Sequence, residues 1–488
     1  MLGKKQFEPK LFYSVQLEGL VPSDHELRRI ESLIDFSFVR SKVKDLYSHT
    51  GQPSVDPEVV IKLLFLGYYY GILSERDLVK RAITDLSFRW FLGYDLDETV
   101  PTHSVLSKAR TRYGTEIFQT VFDEVVGQCI KAGLVKGEQA FVDATYIEAN
   151  ASKSSIGPRL KVLNPSAYAG EMLNKAEEND EDKPASSPPD NVTDNKPASF
   201  NERMVSSTDP EATYRRGHPK KDGLYYEGHY LIDSKARVIV GATATDTTEC
   251  ADKQVQPLLL RARFRQDLRF DSLCADAEYG TQGLYQFLFS EGITPYIPPQ
   301  KLGKNADPFS KEHFVYDNEQ DIYRCPAGHK LVRSDYNVDK KTYVYRPATR
   351  DTCKGCSFRI QCVRGKSDRR IKRLLYQEAV DRARKITSDP AYKENMRLRR
   401  YLLEPLFGEA KEQHGLRRAQ FRGLAKVKIQ VLWTATILNI KRLLQHARHT
   451  AHSDAHALSS ANVAFTELVP RFLTSLLNCQ RTFSEVWI

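Results

Sequence analysis

Three carboxylates stand apart in this chain by where they fall. Asp143 lies inside a short apolar, β-branched run, Ala140-Phe141-Val142-Asp143-Ala144-Thr145-Tyr146-Ile147, and Asp276 ends the run Ser272-Leu273-Cys274-Ala275. Glu404 sits in a basic, helical stretch near the C-terminal end. Loops at the ends of strands in an α/β sheet can approach a ligand without disrupting the core. Hard divalent ions such as Mg²⁺ or Mn²⁺ bind a few carboxylates together with water and phosphate oxygens. Two of them, roughly 3.5–4 Å apart, can activate an attacking water and stabilise a leaving oxygen in phosphodiester chemistry. Taken singly, each carboxylate reads more readily as an ion pair or a cap, so the case rests on what surrounds the three.

Arg397, Arg400, Glu404 and Lys411 share one helical face, because their spacings of three, four and seven follow the helical repeat. Such a face offers a metal ligand beside cations for DNA phosphate. Pro405 lacks an amide proton, so a kink or restart is expected there. Between Lys366 and Arg448 there are 21 Lys/Arg against 8 Asp/Glu, an excess of 13 that is larger than the net charge of +10 on the whole chain. Clustered cations favour a polyanion, since each neutralised phosphate releases condensed counterions.

Four of the 8 cysteines, Cys325, Cys353, Cys356 and Cys362, fall close together. Their spacing suits a tetrahedral thiolate site for one structural Zn²⁺, with the knuckle-like Cys325-Pro326-Ala327-Gly328-His329 holding His329 in reserve. Four thiolates leave no open position for catalysis. Four reduced thiols without metal are the alternative. Cys129, Cys250, Cys274 and Cys479 are scattered and read as small buried side chains.

Behind these residues the pattern divides the chain. Residues 1–135 read as an all-helical unit. Asp56-Pro57-Glu58 opens the apolar run to Tyr70, Ser74 opens a second helix, and Pro101-Thr102-His103-Ser104 precedes a basic third one. Helices of this kind suit either helix-turn-helix-like DNA binding or plain packing. Strands are expected at 140–147, Tyr225–Ile232, Val238–Thr245, Ser272–Ala275 and Thr294–Ile297, with helices at about 251–265 and after Gly280. The order specifies a mixed sheet with helices packed on it, an α/β architecture. Residues 152–205 are low in complexity and rich in Glu, Asp, Pro and Ser, the composition of a mobile linker. His218, His229 and Asp233 fall around the strand hairpin and read as architecture.

These blocks resemble the insertion-sequence transposases of the DDE type, over most of the chain. Phe141 to Ser152 is similar to the family's first-aspartate strand and Cys274-Ala275-Asp276-Ala277-Glu278-Tyr279-Gly280 to its second-aspartate motif. Glu404-Pro405-Leu406-Phe407-Gly408, followed by Lys411, His414-Gly415 and Arg422-Gly423-Leu424, is similar to its glutamate block. Part of the family carries Tyr-x2-Arg-x3-Glu-x6-Lys; Arg400, Glu404 and Lys411 match it, and Arg397 stands at the tyrosine position. Glu409 and Glu412 do not fit that register.

The resemblance implies an RNase H-like catalytic core over 136–300 and 366–448, interrupted by a Cys-rich, zinc-ribbon-like insertion at 301–365 and followed by a tail at 449–488. It implies two Mg²⁺ (or Mn²⁺) held by Asp143, Asp276 and Glu404. Double-stranded DNA would be contacted by Arg397, Arg400, Lys411, Arg417, Arg418 and Arg422. The implied reaction is strand cleavage and strand transfer at terminal inverted repeats, in cut-and-paste fashion, by a homodimer on paired ends. A transposase-derived DNA-binding protein without cleavage and another RNase H-like nuclease are the rival readings. No apolar run approaches the ~20 residues of a membrane span, and the first residues lack the apolar segment of a secretory signal. A cytoplasmic, nucleoid-associated bacterial protein is therefore expected.

Overall fold

Asp56 accepts a hydrogen bond from the Glu58 amide and Pro57 occupies the first turn, so the chain enters a helix where its sequence is set to start one. The computed structural model describes residues 14–48, 50–164, 199–217, 222–300, 309, 311–363 and 367–450. Packing divides the chain into two units: residues to Leu134 together with those from Trp433 on, and Val135–Leu432.

The first unit is helical: α1 Glu26–Leu33, α2 Phe38–Val43, α3 Pro57–Tyr69, α4 Glu75–Thr84, α5 Leu86–Leu92 and α6 Ser104–Lys131. α3 buries most of its length, as its nearly unbroken apolar sequence requires. α6 is interrupted at Gly114, whose φ of 60° and ψ of −173° leave the helical region. Residues 433–448, expected in the catalytic core, and the first two residues of the expected tail pack here instead. The cause is aromatic: Trp433 stacks on Tyr68 at 5.9 Å and tilts against Phe118 at 6.2 Å. Among the described residues, no helix is long and apolar enough to cross a membrane.

The second unit is built on a six-stranded sheet. Its strands are β1 Gln139–Glu148, β2 Thr213–Arg215, β3 Gly223–Asp233, β4 Ile239–Asp246, β5 Ser272–Cys274 and β6 Thr294–Tyr296. β3 pairs antiparallel with β1, β2 and β4, whereas β1, β5 and β6 run parallel in that order. A hairpin set followed by parallel strands reached through helices α7 Asp252–Gln266 and α8 Gln282–Ser290 is the RNase H-like order that the resemblance implies. α9 Gln377–Ile386 and α10 Pro390–Gln413 follow, and α10 runs on through Pro405 as one helix, so it does not restart there.

His229 and Asp233 are architecture, as expected. Buried His229 shares a 2.9 Å hydrogen bond with the Thr245 hydroxyl, and burial pushes it down to about 4. Asp233 accepts from the amides of Gly137 (2.8 Å) and Lys235 (2.9 Å). His218 lies outside the described residues.

Two segments differ from expectation. The ends of the low-complexity stretch 152–205 form regular structure: Ile156–Pro158 pairs antiparallel with Met204–Ser206, and Ser199 and Glu202 close a capping box. Residues 165–198 lie outside the described residues, as do 451–488 of the expected tail. The Cys-rich segment is a five-stranded antiparallel sheet, β7 Val315–Asp317, β8 Ile322–Arg324, β9 Lys330–Asn337, β10 Thr342–Pro347 and β11 Ile371–Leu374. It therefore runs past the boundary expected at 365, because Ile371 belongs to its small core with Phe314, Tyr323, Leu331 and Tyr345.

Candidate active site and metal centres

Parallel pairing of Phe141 with Cys274 sets β1 and β5 side by side, so that Asp143, within β1, and Asp276, two residues past the end of β5, each follow the paired position by two residues. Each carboxylate spends its Oδ1 locally: Asp143 accepts from the Ala144 amide and Asp276 from the Glu278 amide, both at 2.9 Å. Their Oδ2 atoms turn to one guanidinium. Arg399 Nη2 lies 2.7 Å from Asp143 Oδ2 and 3.7 Å from Asp276 Oδ2. Burial is the largest influence on Asp143 and raises it to about 6; Arg399 opposes that shift and Asp276 adds to it.

Glu404 is not drawn into this pair. It is exposed on α10, whose buried side consists of Leu402, Leu403, Leu406, Phe407 and Ala410. Arg397 and Arg400 are exposed on the same helix and Lys411 is half-buried, its amine held below the usual range chiefly by burial. Among the described residues, no three His, Cys, Asp or Glu side chains lie close enough to share a metal ion. Two of the three expected carboxylates are thus brought together and the third is not.

The other expected cations sit at the end of β1. The Ala419 amide donates to Glu148 O (2.7 Å) and the Glu148 amide to Arg417 O (3.1 Å), which ties residues 417–419 to that strand end. Arg422 Nε donates to Asn150 O at 3.3 Å. Arg417 is paired with Glu412, and Arg418 is exposed.

Sequence reasoning missed Arg399, and with it Glu227 and Arg215. Glu227, only 5% exposed on β3, is pushed up to about 7, first by burial and then by Glu278, with Asp143 and Asp276 adding and Arg215 opposing. Arg215 donates to the Tyr146 hydroxyl at 2.6 Å and lies over that ring. The signal for Glu227 was present: it is the lone acid in the run Leu224-Tyr225-Tyr226-Glu227-Gly228-His229-Tyr230-Leu231-Ile232.

Gly280 closes the Asp276 turn. A methyl group there would collide with Pro298 O and fall 3.0 Å from the Tyr285 hydroxyl and 3.1 Å from the Gln300 amide. Gly280→Ala is expected to lower stability by about 1–3 kcal/mol through this overpacking, and to weaken divalent-metal binding by displacing Asp276. Thermal melting with and without Mn²⁺ checks both effects, and an unchanged melting curve would refute the clash.

In the Cys-rich sheet one cavity is lined by Cys325, Cys353, Cys356, Cys362 and His329. The Cys325–His329 turn closes through Cys325 N to His329 O (3.0 Å) and Gly328 N to Cys325 O (2.9 Å). Burial raises the Cys353 and Cys362 thiols, and each also feels neighbouring cysteines.

The carboxylate pair and the sheet that carries it belong to a chain with transposase domains. A family model described as "Transposase domain (DUF772)" matches residues 15–112, and one described as "Transposase DDE domain" matches residues 324–444. The chain is thus similar to a transposase domain over residues 15–112 and to a transposase DDE domain over residues 324–444, and neither match includes Asp143 or Asp276. The second match includes Arg399, Glu404 and the cysteine cluster. Among solved structures, the Mos1 transposase paired-end complex with left transposon end is similar over 53% of this chain and 64% of that one, at 10% identity and a TM-score of 0.16. The piggyBac transposase synaptic complex with hairpin DNA is similar over 85% and 79%, at 10% identity and a TM-score of 0.23. The chain spans 64% of the length of the Mos1 chain it matches, and superpositions this loose carry no argument about geometry. No curated protein matches the chain.

Proposed function

We propose that this protein is a DNA transposase that cleaves and joins strands at the terminal inverted repeats of an insertion sequence, in cut-and-paste fashion, in the bacterial cytoplasm. The observation that carries the reading is the pair Asp143 and Asp276, set on neighbouring parallel strands with both Oδ2 atoms turned to one cation. Such a pair fits a hard divalent ion: its donors are oxygens, burial disfavours the charged form of Asp143, and a positive partner already sits against both carboxylates. Asp143 and Asp276 would hold Mg²⁺ or Mn²⁺, with Glu404 joining once DNA is bound. When bound, two such ions supply Lewis-acid activation of water and stabilisation of the leaving oxygen.

The chain's own groups bind and orient the rest. Arg397 and Arg400 on the exposed side of α10, half-buried Lys411 further along that helix, and Arg417, Arg418 and Arg422 at the end of β1 provide cations for the phosphate backbone. Glu227, raised to about 7 chiefly by burial, can take up or release a proton near neutral pH. The protein works as a homodimer, because two ends must be cut together. Incubating it with labelled duplex carrying the flanking repeats and Mg²⁺ should give nicks with a free 3′-OH at the repeat boundary, then joined product. Binding without nicking would make it a non-cleaving DNA-binding relative.

Cys325, Cys353, Cys356 and Cys362 line one cavity without forming a ready ligand set, and they would hold one structural Zn²⁺ by closing around it. Soft thiolates in one cavity suit that ion, and the core of Phe314, Tyr323, Leu331, Tyr345 and Ile371 is small for a self-supporting sheet. About one zinc per chain is expected by elemental analysis, lost in Cys356→Ser together with protection of this sheet from proteolysis. A zinc-free preparation that resists proteolysis equally well would refute it.

A further inference from the structure

We propose that Arg399 is a built-in counter-cation of the aspartate pair, displaced when a divalent metal binds and then free to turn to DNA phosphate. The inference rests on the reading of Asp143 and Asp276 as metal ligands.

The geometry is specific. Oδ1 of each aspartate is taken by a local amide, and the two Oδ2 atoms, the ones a shared ion would use, both face Arg399 Nη2. The Arg399 side chain is 13% exposed, and its Nε is buried with no hydrogen-bond partner. The guanidinium is therefore held by charge rather than by a complete set of hydrogen bonds, an arrangement that can be exchanged for a better one. Four carboxylates influence this end of the sheet, Asp143, Asp276, Glu227 and Glu278, against Arg399 and Arg215. Two arginines against four carboxylates leave the cluster short of positive charge, which a divalent ion supplies.

Displacement has a cost, since a guanidinium expelled from a partly buried ion pair needs a new partner. DNA phosphate provides one, because the planar guanidinium fork matches phosphate oxygens. Metal and DNA are then coupled: each should strengthen binding of the other by the same factor. Without DNA, Arg399 competes with the metal and holds the site closed to it. This disfavours metal loading, and with it strand cleavage, away from the ends. Arg399 is in this sense a positioning residue, acting through the aspartates.

The test measures Mn²⁺ binding to the full chain by the loss of the free-ion electron paramagnetic resonance signal, with and without duplex carrying the flanking repeats. In the wild type, DNA should tighten Mn²⁺ binding by about tenfold, within the ~5–150-fold span usual for coupled sites. Arg399→Gln should bind Mn²⁺ about tenfold more tightly without DNA, with little further gain when DNA is added. Arg399→Lys, which keeps the charge but not the fork, should fall between the two and guards against a folding defect in the glutamine variant. Wild-type affinity in both variants, with unaltered circular dichroism, overturns the role of Arg399. Mn²⁺ binding that persists unchanged in Asp143→Asn overturns the metal reading itself, whatever Arg399 does.

Discussion

Asp143→Asn and Asp276→Asn should each reduce strand cleavage by about a thousandfold or more while leaving binding to the terminal repeats near wild type. Removing a metal-ligating carboxylate forfeits several kcal/mol of transition-state stabilisation, whereas the exposed cations of α10 and of the loop at the end of β1 remain. The Asp143→Asn substitution has a second, opposite consequence for the metal-free fold. Asp143 is raised to about 6, above the ordinary carboxylate range. Its contribution to stability is therefore present when it is protonated and is lost as pH rises through about 6. A neutral amide escapes that loss, so Asp143→Asn should melt at or above the wild-type temperature at pH 7 in chelator. A melting point several degrees lower would mean that the charged pair with Arg399 holds the fold together. The same titration makes metal affinity fall as pH drops below about 6, since proton and metal compete for the carboxylate.

Glu404→Gln should cost cleavage at least about a hundredfold and leave metal-free stability unchanged, because the side chain is exposed and buries nothing. Five residues separate it from Arg399, which at ~100° per residue places the two about 140° apart around α10. As the proposed third ligand, Glu404 would have to approach the aspartates through a movement of its side chain or of the helix when DNA binds. Glu409→Gln serves as the matched comparison: Glu409, on the same helix, lies 3.9 Å from His414, and its variant should cleave normally. Equal activity in both variants would remove Glu404 from the site, and loss only in Glu409→Gln would name that residue in its place.

The contrast between Arg399 and Arg400 shows what the sequence could tell and where it stopped. Spacing placed Arg397, Arg400, Glu404 and Lys411 on one face, and none of the four belongs to the buried side of α10. Spacing alone does not say which face meets the sheet. The answer lay in Leu402, Leu403, Leu406, Phe407 and Ala410, the apolar stripe, which extended back by one turn reaches Arg399. β1, β3 and β4 were legible because long β-branched and aromatic runs between turn residues have few other uses. β2, three residues long, left no such trace; it exists because Thr213–Arg215 pairs with Gly223–Tyr225. The ladder joining Ile156–Pro158 to Met204–Ser206 was hidden for another reason. Its strands are short, far apart in sequence, and flank a composition that reads as unstructured. Asp143 and Asp276 were legible only through their positions, one within a strand and one at the end of another, and their shared cation was not.

The most direct test of the central claim, that Asp143 and Asp276 hold the metal that cuts DNA, is to change the donor atom and ask which metal responds. Asp143→Cys and Asp276→Cys exchange a hard oxygen ligand for a soft sulfur, which Mg²⁺ tolerates poorly and Mn²⁺ better. Cleavage of labelled repeat-end duplex should vanish in Mg²⁺ for both variants and return in part when Mn²⁺ replaces it. Wild-type cleavage in Mg²⁺ by either cysteine variant would contradict the account, because that carboxylate could not then be a ligand of the catalytic metal.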